Sequence, residues 1–204
     1  MLLFFHIPKT AGISISSLIS ETSLIKILRK SILNELDKDK YLLPYPDFSH
    51  HVTPEDLSQI AQNYSIKLYY DLSFTVVRNP WGRTVSMYNF ARQSNMFTFY
   101  KKKDLTFLQF CEFLFLNRNN DKMLPALSQT SWTHSVIEID RILRFEQLNE
   151  NWNKFVEDYK LKLPELPHLN ASKKVDYKSY YDSHTKNLIS QTFEEDIDTF
   201  KYVF

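Results

Sequence analysis

Short apolar runs along the chain are separated by longer stretches with a different hydrophobic period. The first run, Leu2–Phe5, has no polar alternation, which is typical of a strand buried on both faces. Strands are also predicted at residues 74–77 and 141–145. Strands that alternate with helical segments along a chain are typical of an α/β fold, so a parallel β-sheet flanked by helices is predicted.

Between and after these runs, apolar residues recur every three or four positions, as on one face of a helix. The segments with this spacing are 13–19, 25–36, 54–64, 80–88, 107–116, 148–159 and 181–200. The first is ambiguous, because residues 13–16 also alternate as a strand would. The spacing of Ile15, Leu18 and Ile19 favours a helix. The last segment is predicted as a single closing helix.

Two of the helices have recognisable starts. Thr53 and Asn79 are residue types whose side chains accept hydrogen bonds from the first turn of a helix, and each precedes a proline. Proline suits the first helical position, where its missing N–H would have no partner within the helix. Helices are therefore predicted to begin at Pro54 and Pro80.

Length and composition narrow the class of protein. A chain of 204 residues can bury one full core, so a single domain over residues 1–204 is predicted. The net charge of +1 does not favour nucleic-acid binding, and any anion site must be local. The single cysteine, Cys111, excludes an internal disulfide and a cysteine-based zinc site, and its apolar neighbours predict a buried, inert thiol. With no visible secretory signal or transmembrane segment, a cytoplasmic protein is expected.

A first candidate anion site follows the first strand. It is the turn His6-Ile7-Pro8-Lys9-Thr10-Ala11-Gly12-Ile13-Ser14. Backbone N–H groups at the start of a helix suit a phosphate, and Lys9 adds a positive charge. Gly12 allows close backbone approach, and the hydroxyls of Thr10 and Ser14 can donate. The alternative is an ordinary turn with one lysine, and on spacing alone the two interpretations are about equally supported.

A second candidate anion site follows the strand at 74–77. Here the chain reads Arg78-Asn79-Pro80-Trp81-Gly82-Arg83-Thr84-Val85-Ser86. On a helix from Pro80, Asn79, Arg83 and Ser86 share one side. Arg78 and Ser86 can then hold one phosphate. A capped surface helix with solvated arginines is the alternative.

The two turns also bear on nucleotide chemistry. A Walker A loop has two glycines and a lysine after the second, whereas Lys9 precedes Gly12. A nucleoside triphosphatase carries a magnesium-binding Asp at a nearby strand end, where this chain has Arg78. A metal-free anionic donor therefore fits these turns better than a magnesium nucleotide.

Together, the two turns resemble the signature of the sulfotransferases that use 3′-phosphoadenosine-5′-phosphosulfate (PAPS), specifically the heparan sulfate 2-O-sulfotransferase-like branch of the carbohydrate enzymes. Weaker similarities lie at residues 51–57, 144–146, 169–172 and 196–204. The resemblance implies a P-loop-NTPase-like sulfotransferase fold. It also implies transfer of a sulfuryl group from PAPS to a hydroxyl of a carbohydrate or glycolipid acceptor, with 3′-phosphoadenosine-5′-phosphate (PAP) as product and no metal.

The resemblance also implies roles for individual residues. Lys9 would contact the phosphosulfate and stabilise the charge that develops on its bridging oxygen, with the loop around it as further donor-binding residues: Pro8, Thr10, Ala11, Gly12, Ile13 and Ser14. Arg78 and Ser86 would hold the 3′-phosphate.

A histidine before the second strand–helix unit serves as the base in this family, and His50 and His51 are both candidates here. The match of residues 53–57 favours His51 as the catalytic base. The alternatives are that both are surface histidines or that Glu55 substitutes. His6 is expected to pack at the strand end.

Two departures from the family pattern bear on donor affinity. Gly82 stands where relatives often carry an acid, and Ile13 replaces the commoner threonine. Two other functions remain open at the level of sequence: a nucleotide-dependent phosphotransferase, and a non-catalytic glycan-binding relative of the fold. The acceptor, the sulfated position and the oligomeric state cannot be read from the residues.

Overall fold

The computed structural model describes residues 2–19, 51–63, 65, 67–94, 105–120, 123–166 and 176–204. Within these ranges three strands form one sheet: β1 (Leu2–Phe5), β2 (Leu72–Val77) and β3 (Arg141–Arg144). β2 lies between the other two and pairs with both in parallel. The predicted α/β class with a parallel sheet is therefore confirmed.

The register places the carboxyl ends of the strands at one edge of the sheet. Phe5 at the end of β1 pairs with Thr75, whose hydroxyl donates to the Phe5 carbonyl at 2.7 Å. At the end of β2, Val77 pairs with Arg144. In parallel α/β sheets this carboxyl edge is where ligands bind.

Seven α-helices are described in these ranges. They are α1 (Gly12–Leu18), α2 (Pro54–Asn63), α3 (Pro80–Gln93), α4 (Phe107–Leu116), α5 (Leu148–Asp158), α6 (Ser183–Thr192) and α7 (Glu194–Phe200). Two predicted starts are confirmed. The Thr53 hydroxyl accepts from the Asp56 N–H at 3.1 Å, and Asn79 Oδ1 accepts from the N–H groups of Trp81 and Gly82.

The helix predicted over 13–19 is confirmed as α1, with Ile15 and Ile19 buried. Their helical spacing predicted the structure correctly, whereas the alternation over 13–16 did not, because Ile15 and Ile19 both pack into the core of the sheet unit. The segment predicted over 25–36 lies outside the described residues.

The single closing helix predicted over 181–200 is wrong, because this segment forms α6 and α7. The helix is interrupted at Phe193, whose φ of −121° and ψ of 34° lie outside the helical range. The Asp182 carboxylate caps the first helix by accepting from the Thr185 N–H at 2.7 Å. Three acids, Glu194 to Asp196, occupy the first turn of the second, where the helix dipole favours negative charge.

The chain forms two compact units. The sheet unit comprises Met1–Val77 and Ser131–Pro167, and the helical unit comprises Arg78–Thr130 and His168–Phe204. In the sheet unit, Phe74 stacks on Phe4 and contacts Phe155 and Trp152 in one core. In the helical unit, α3, α4 and α6 pack on one another. No helix in the described part of the chain combines the length and apolar character needed to cross a bilayer.

Candidate functional site

The loop after β1 has an unusual backbone conformation. Lys9 and Ala11 have φ values of 69° and 70°, whereas Thr10 between them does not have a positive φ. A left-handed conformation costs a residue with a side chain about 1–2 kcal/mol, so the surrounding structure must hold it. Successive N–H groups in such an alternating conformation form a concavity that binds anions. The left-handed residues on either side of Thr10 are therefore the feature of this loop that bears on anion binding.

The side chain of Thr10 holds this loop together. It is fully buried, and its hydroxyl donates to the Ile7 carbonyl at 2.8 Å. The hydroxyl proton expected to be available to a ligand is therefore used within the loop, and a contact from Thr10 to an anion would come from its N–H. The loop then enters α1, where the Ile15 N–H donates to the Ala11 carbonyl at 3.2 Å.

Gly12 has a steric role rather than a conformational one. Its φ is not positive, but a Cβ atom at this position would overlap the imidazole ring of His6. His6 also stacks on Phe4, with ring centroids 5.8 Å apart and an interplanar angle of 16°. Gly12 therefore accommodates the His6 side chain, and His6 packs against both the strand and the loop.

His51 is tied to the same loop through its ring. Its Nδ1 lies 2.8 Å from the His6 carbonyl, and the two rings are 4.4 Å apart. Since a carbonyl only accepts, Nδ1 carries the hydrogen in this contact. In the neutral ring the lone pair is then on Nε2, the arrangement that a general base requires. The alternative candidate, His50, lies outside the described residues.

The other loop residues differ in exposure. Lys9 is half-buried, as is Ala11, and Pro8 and Ser14 are buried. Ile13, in the first turn of α1, is 66% exposed. This side chain thus faces solvent and offers no hydrogen bond.

In the helical unit, the backbone of Arg78 is held by the side chain of Gln129. The Arg78 N–H donates to Gln129 Oε1 at 2.8 Å, and Gln129 Nε2 donates to the Arg78 carbonyl at 2.8 Å. The amide is fully buried. It binds Arg78 as a peptide group of a neighbouring strand would.

Asp196 of α7 fixes that amide. Its Oδ2 accepts from Gln129 Nε2 at 3.0 Å, and its Oδ1 accepts from the Thr130 N–H at 3.1 Å and from the Ser128 hydroxyl. The carboxylate is fully buried, and buried carboxylates are stable only when they are bonded in this way. Three consecutive residues are therefore tied to one acid.

Arg83 is a structural residue of α3. It is 1% exposed, its Nη1 donates to the Leu127 carbonyl at 3.2 Å, and its guanidinium lies over the Phe193 ring. Burial lowers the pKa of Arg83 to about 10. Asp196 opposes this shift, and the positive charge of Arg78 adds to it. Arg83 remains charged at neutral pH, close to a second cation.

The start of α3 holds the cap Asn79 and, further along, the predicted site residue Ser86. Asn79, the cap, also donates through Nδ2 to the Val203 carbonyl at 2.9 Å, which anchors the cap to the end of the described chain. Ser86 lies two turns into α3 and is half-buried, whereas Trp81, Val85 and Tyr88 form the predicted buried stripe.

Other candidate chemistry is accounted for by packing. Cys111 is buried in α4, and burial raises the pKa of its thiol to about 12, with Asp182 and Glu112 adding to the shift. Among the residues that the structure describes, no three His, Cys, Asp or Glu side chains come together in a way that could hold a metal ion.

Sequence reasoning missed the brace formed by Gln129 and Asp196. Gln129 lies 51 residues from Arg78, and no local pattern indicates that it is buried. In the sequence, Asp196 falls only within the weak similarity at residues 196–204. Its buried carboxylate now explains why an acid stands there.

The fold is that of an α/β protein in which a loop with left-handed backbone at Lys9 and Ala11 follows the first strand of a parallel sheet. The sequence model of the sulfotransferase family matches residues 1–203, and the chain belongs to that family. Searches of the curated proteins and of the solved structures gave no significant match.

Proposed function

We propose that this sulfotransferase transfers the sulfuryl group of PAPS to a hydroxyl of a carbohydrate acceptor. The observation that carries the proposal is the loop after β1. The family model matches nearly the whole chain. In this loop, Lys9 and Ala11 have left-handed backbone conformations, and His51 Nδ1 is hydrogen-bonded to the His6 carbonyl. Sulfuryl transfer requires both an anion-binding site for the donor and a proton acceptor for the attacking hydroxyl.

The loop would bind the phosphosulfate end of the donor. The N–H groups of residues 10–14 would hold the phosphate oxygens, and the Lys9 ammonium would neutralise charge on the bridging oxygen. The left-handed conformation at Lys9 and Ala11 supports this assignment. Conformational strain of this kind clusters at ligand sites, where it orients donors before the ligand arrives.

Arg78 and Ser86 would bind the 3′-phosphate. The positive charge of Arg83 close to Arg78 supports this. Burial is the main cause of the lowered pKa of Arg83, and the charge of Arg78 adds to it. The nearby carboxylate of Asp196 offsets one of the two positive charges of Arg78 and Arg83. An anion bound by Arg78 would relieve the remaining repulsion.

His51 would act as the base. The acceptor oxygen attacks sulfur, the bond between sulfur and the bridging oxygen breaks, and PAP leaves with that oxygen. The hydroxyl proton passes to Nε2 of His51, while Nδ1 keeps its hydrogen bond to the His6 carbonyl. The fixed tautomer therefore supports His51 as an acceptor throughout the step.

The donor assignment predicts stabilisation by PAP without added metal. At a PAP concentration one hundred times its Kd, the unfolding free energy should rise by about 2.7 kcal/mol. Thermal unfolding with PAP in EDTA measures this, and ATP with magnesium is the control nucleotide. Stabilisation by ATP with magnesium but not by PAP would reject the donor and favour a phosphotransferase.

The base assignment is tested with two substitutions of His51. Asparagine can keep a donor N–H near the position of Nδ1, so His51→Asn should retain the bond to the His6 carbonyl but lose the base. Turnover should fall by about 10²–10⁴-fold with little change in melting temperature, whereas His51→Ala should lose turnover and also the loop contact. Full turnover by the asparagine variant would remove His51 from the chemistry.

The carbohydrate acceptor is proposed from the similarity of residues 51–57 and 74–86 to the heparan sulfate 2-O-sulfotransferase-like branch. Incubation with radiolabelled PAPS and a panel of polysaccharides, lipid-linked sugars and small glycosides tests it. Transfer only to a non-carbohydrate hydroxyl would contradict the acceptor class and leave the donor assignment intact.

A further inference from the structure

The contact between Gln129 and Arg78 bears on how the proposed 3′-phosphate site is positioned. Gln129 uses Oε1 and one hydrogen of Nε2 on the backbone of Arg78, at 2.8 Å each, and the second hydrogen of Nε2 on Asp196 at 3.0 Å. The oxygen and both N–H hydrogens of this buried amide are thus hydrogen-bonded.

Asp196 allows only one orientation of the amide. If the amide were flipped, its oxygen would face the Asp196 carboxylate and the Arg78 carbonyl, and its NH₂ group would face the Arg78 N–H. Each of these contacts would be repulsive in a buried place, where unpaired polar groups cost about 1–3 kcal/mol. Ser128 and Thr130, which flank Gln129, are tied to the same carboxylate. The brace is therefore rigid.

The backbone of Arg78 is the base from which its side chain reaches a ligand. Its Nε lies 3.7 Å from the position that a Cβ atom would take at Gly82, so the side chain runs along the first turn of α3. Fixing the N–H and the carbonyl on both sides of the Arg78 Cα limits the directions that this side chain can take.

We propose that Gln129, oriented by Asp196, is a positioning residue that sets Arg78 for the 3′-phosphate of the donor. The inference rests on the proposed function, since it assumes that Arg78 contacts this phosphate. Gln129 itself contacts the backbone of Arg78 and acts through that residue.

The experiment compares two ligands that differ only in the 3′-phosphate: PAP and adenosine 5′-monophosphate. Calorimetric titration of the full chain gives the ratio of their Kd values. Arg78→Met should bring the ratio close to one. Gln129→Met, which keeps the side-chain volume but loses every hydrogen bond, should reduce the preference for PAP by about tenfold, with the affinity for adenosine 5′-monophosphate within about twofold of wild type.

Thr192→Val is the matched control. It removes a buried hydroxyl bond to the Leu188 carbonyl, 2.7 Å long, from the same unit without contacting Arg78. It should keep the full preference for PAP. General loosening of the unit would instead weaken both ligands alike in both variants. If Gln129→Met does not fold, Gln129→Asn replaces it, because its amide is one methylene too short to reach both Arg78 and Asp196.

The outcomes separate the two proposals. If the wild-type chain does not prefer PAP, or if Arg78→Met keeps the preference, the 3′-phosphate assignment fails and the role of Gln129 fails with it. If Arg78→Met loses the preference while the Gln129 variant keeps it, the proposed function stands and the positioning role is overturned.

Discussion

Ala11 and Gly12 are adjacent but constrained in different ways: Ala11 by its backbone conformation, and Gly12 by the space that the His6 ring leaves. Ala11 has φ 70° and ψ 16°, a conformation that glycine adopts without strain. Ala11→Gly should therefore raise the unfolding free energy by about 0.5–1 kcal/mol, after the greater flexibility of glycine in the unfolded chain is allowed for. Urea denaturation measures this change.

Gly12→Ala is the counterpart of that substitution. It should destabilise the chain because the new methyl group overlaps the His6 ring, which must move away from Phe4. Two adjacent exchanges between alanine and glycine thus have opposite expected signs. A loss of stability in Ala11→Gly would show that the left-handed conformation is not strained.

Cys111 should make stability depend on alkaline pH. Burial raises the pKa of its thiol from 9.0 to about 12, so the unfolded chain loses this proton first. The stability that the buried thiol contributes is complete below pH 9 and is lost as the pH rises towards 12. Between pH 9 and 10 the unfolding free energy of the wild-type chain should fall by about 1 kcal/mol more than that of Cys111→Ala.

The slope in this comparison, rather than the absolute stability, reports the thiol, because Cys111→Ala also leaves a cavity. Chemical denaturation at pH 8, 9 and 10 gives both slopes. Parallel slopes would mean that the thiol ionises in the folded chain as readily as in the unfolded one.

Single residues of the candidate site could be chosen from sequence, but their contacts could not. Lys9 and Gly12 stand in a recognisable turn. The bond between His51 and the His6 carbonyl joins residues 45 positions apart. From sequence, the Thr10 hydroxyl is a candidate donor to a ligand. The folded loop shows that it donates to the Ile7 carbonyl instead. Local pattern identifies residue types, whereas pairing depends on the tertiary fold.

At the scale of elements, the start of α3 can be improved without disturbing its contacts. A Cβ atom at Gly82 would lie 3.5 Å from Tyr177 and 3.7 Å from Arg78 Nε, which are ordinary van der Waals distances. Because glycine is a poor helix former, Gly82→Ala should raise the unfolding free energy by about 0.5–1 kcal/mol. Thermal and urea denaturation provide the measurement, and PAP affinity should stay within about twofold.

Gly12→Ala in α1 is the natural comparison for Gly82→Ala, since both glycines lie in the first turns of helices and only Gly12 is in steric conflict. Destabilisation of both variants to the same degree would contradict the difference between the two sites.

Element type was easier to predict than element boundaries. β1 and α4 were predicted with the observed bounds because each is a dense apolar run. The break between α6 and α7 was missed because Leu188, Phe193 and Ile197 keep a spacing that one helix would also give. The signals for two helices are polar: the Asp182 cap and the acids at the start of α7. A hydrophobic period shows which face is buried, but caps determine where a helix begins.

At the scale of the molecule, the family and the parallel sheet were predictable because they depend on patterns spread along the whole chain. The two turns proposed to bind the donor each follow a strand of that sheet, which is why they could be recognised together. The loop at Lys9 belongs to the sheet unit and Arg78 to the helical unit. The proposed function assigns the phosphosulfate end of the donor to the loop at Lys9 and the 3′-phosphate end to Arg78.

This division predicts opposite ligand selectivities for substitutions in the two units. Adenosine 5′-monophosphate and adenosine 3′-monophosphate each carry one of the two phosphates of PAP. Lys9→Met keeps a side chain in the left-handed position but removes the charge, so it should weaken adenosine 5′-monophosphate by about tenfold or more and leave adenosine 3′-monophosphate within about twofold. Arg78→Met should do the reverse. Calorimetry with both nucleotides on both variants gives four affinities, and a variant that weakens the two nucleotides equally would show that its residue does not serve one end of the donor.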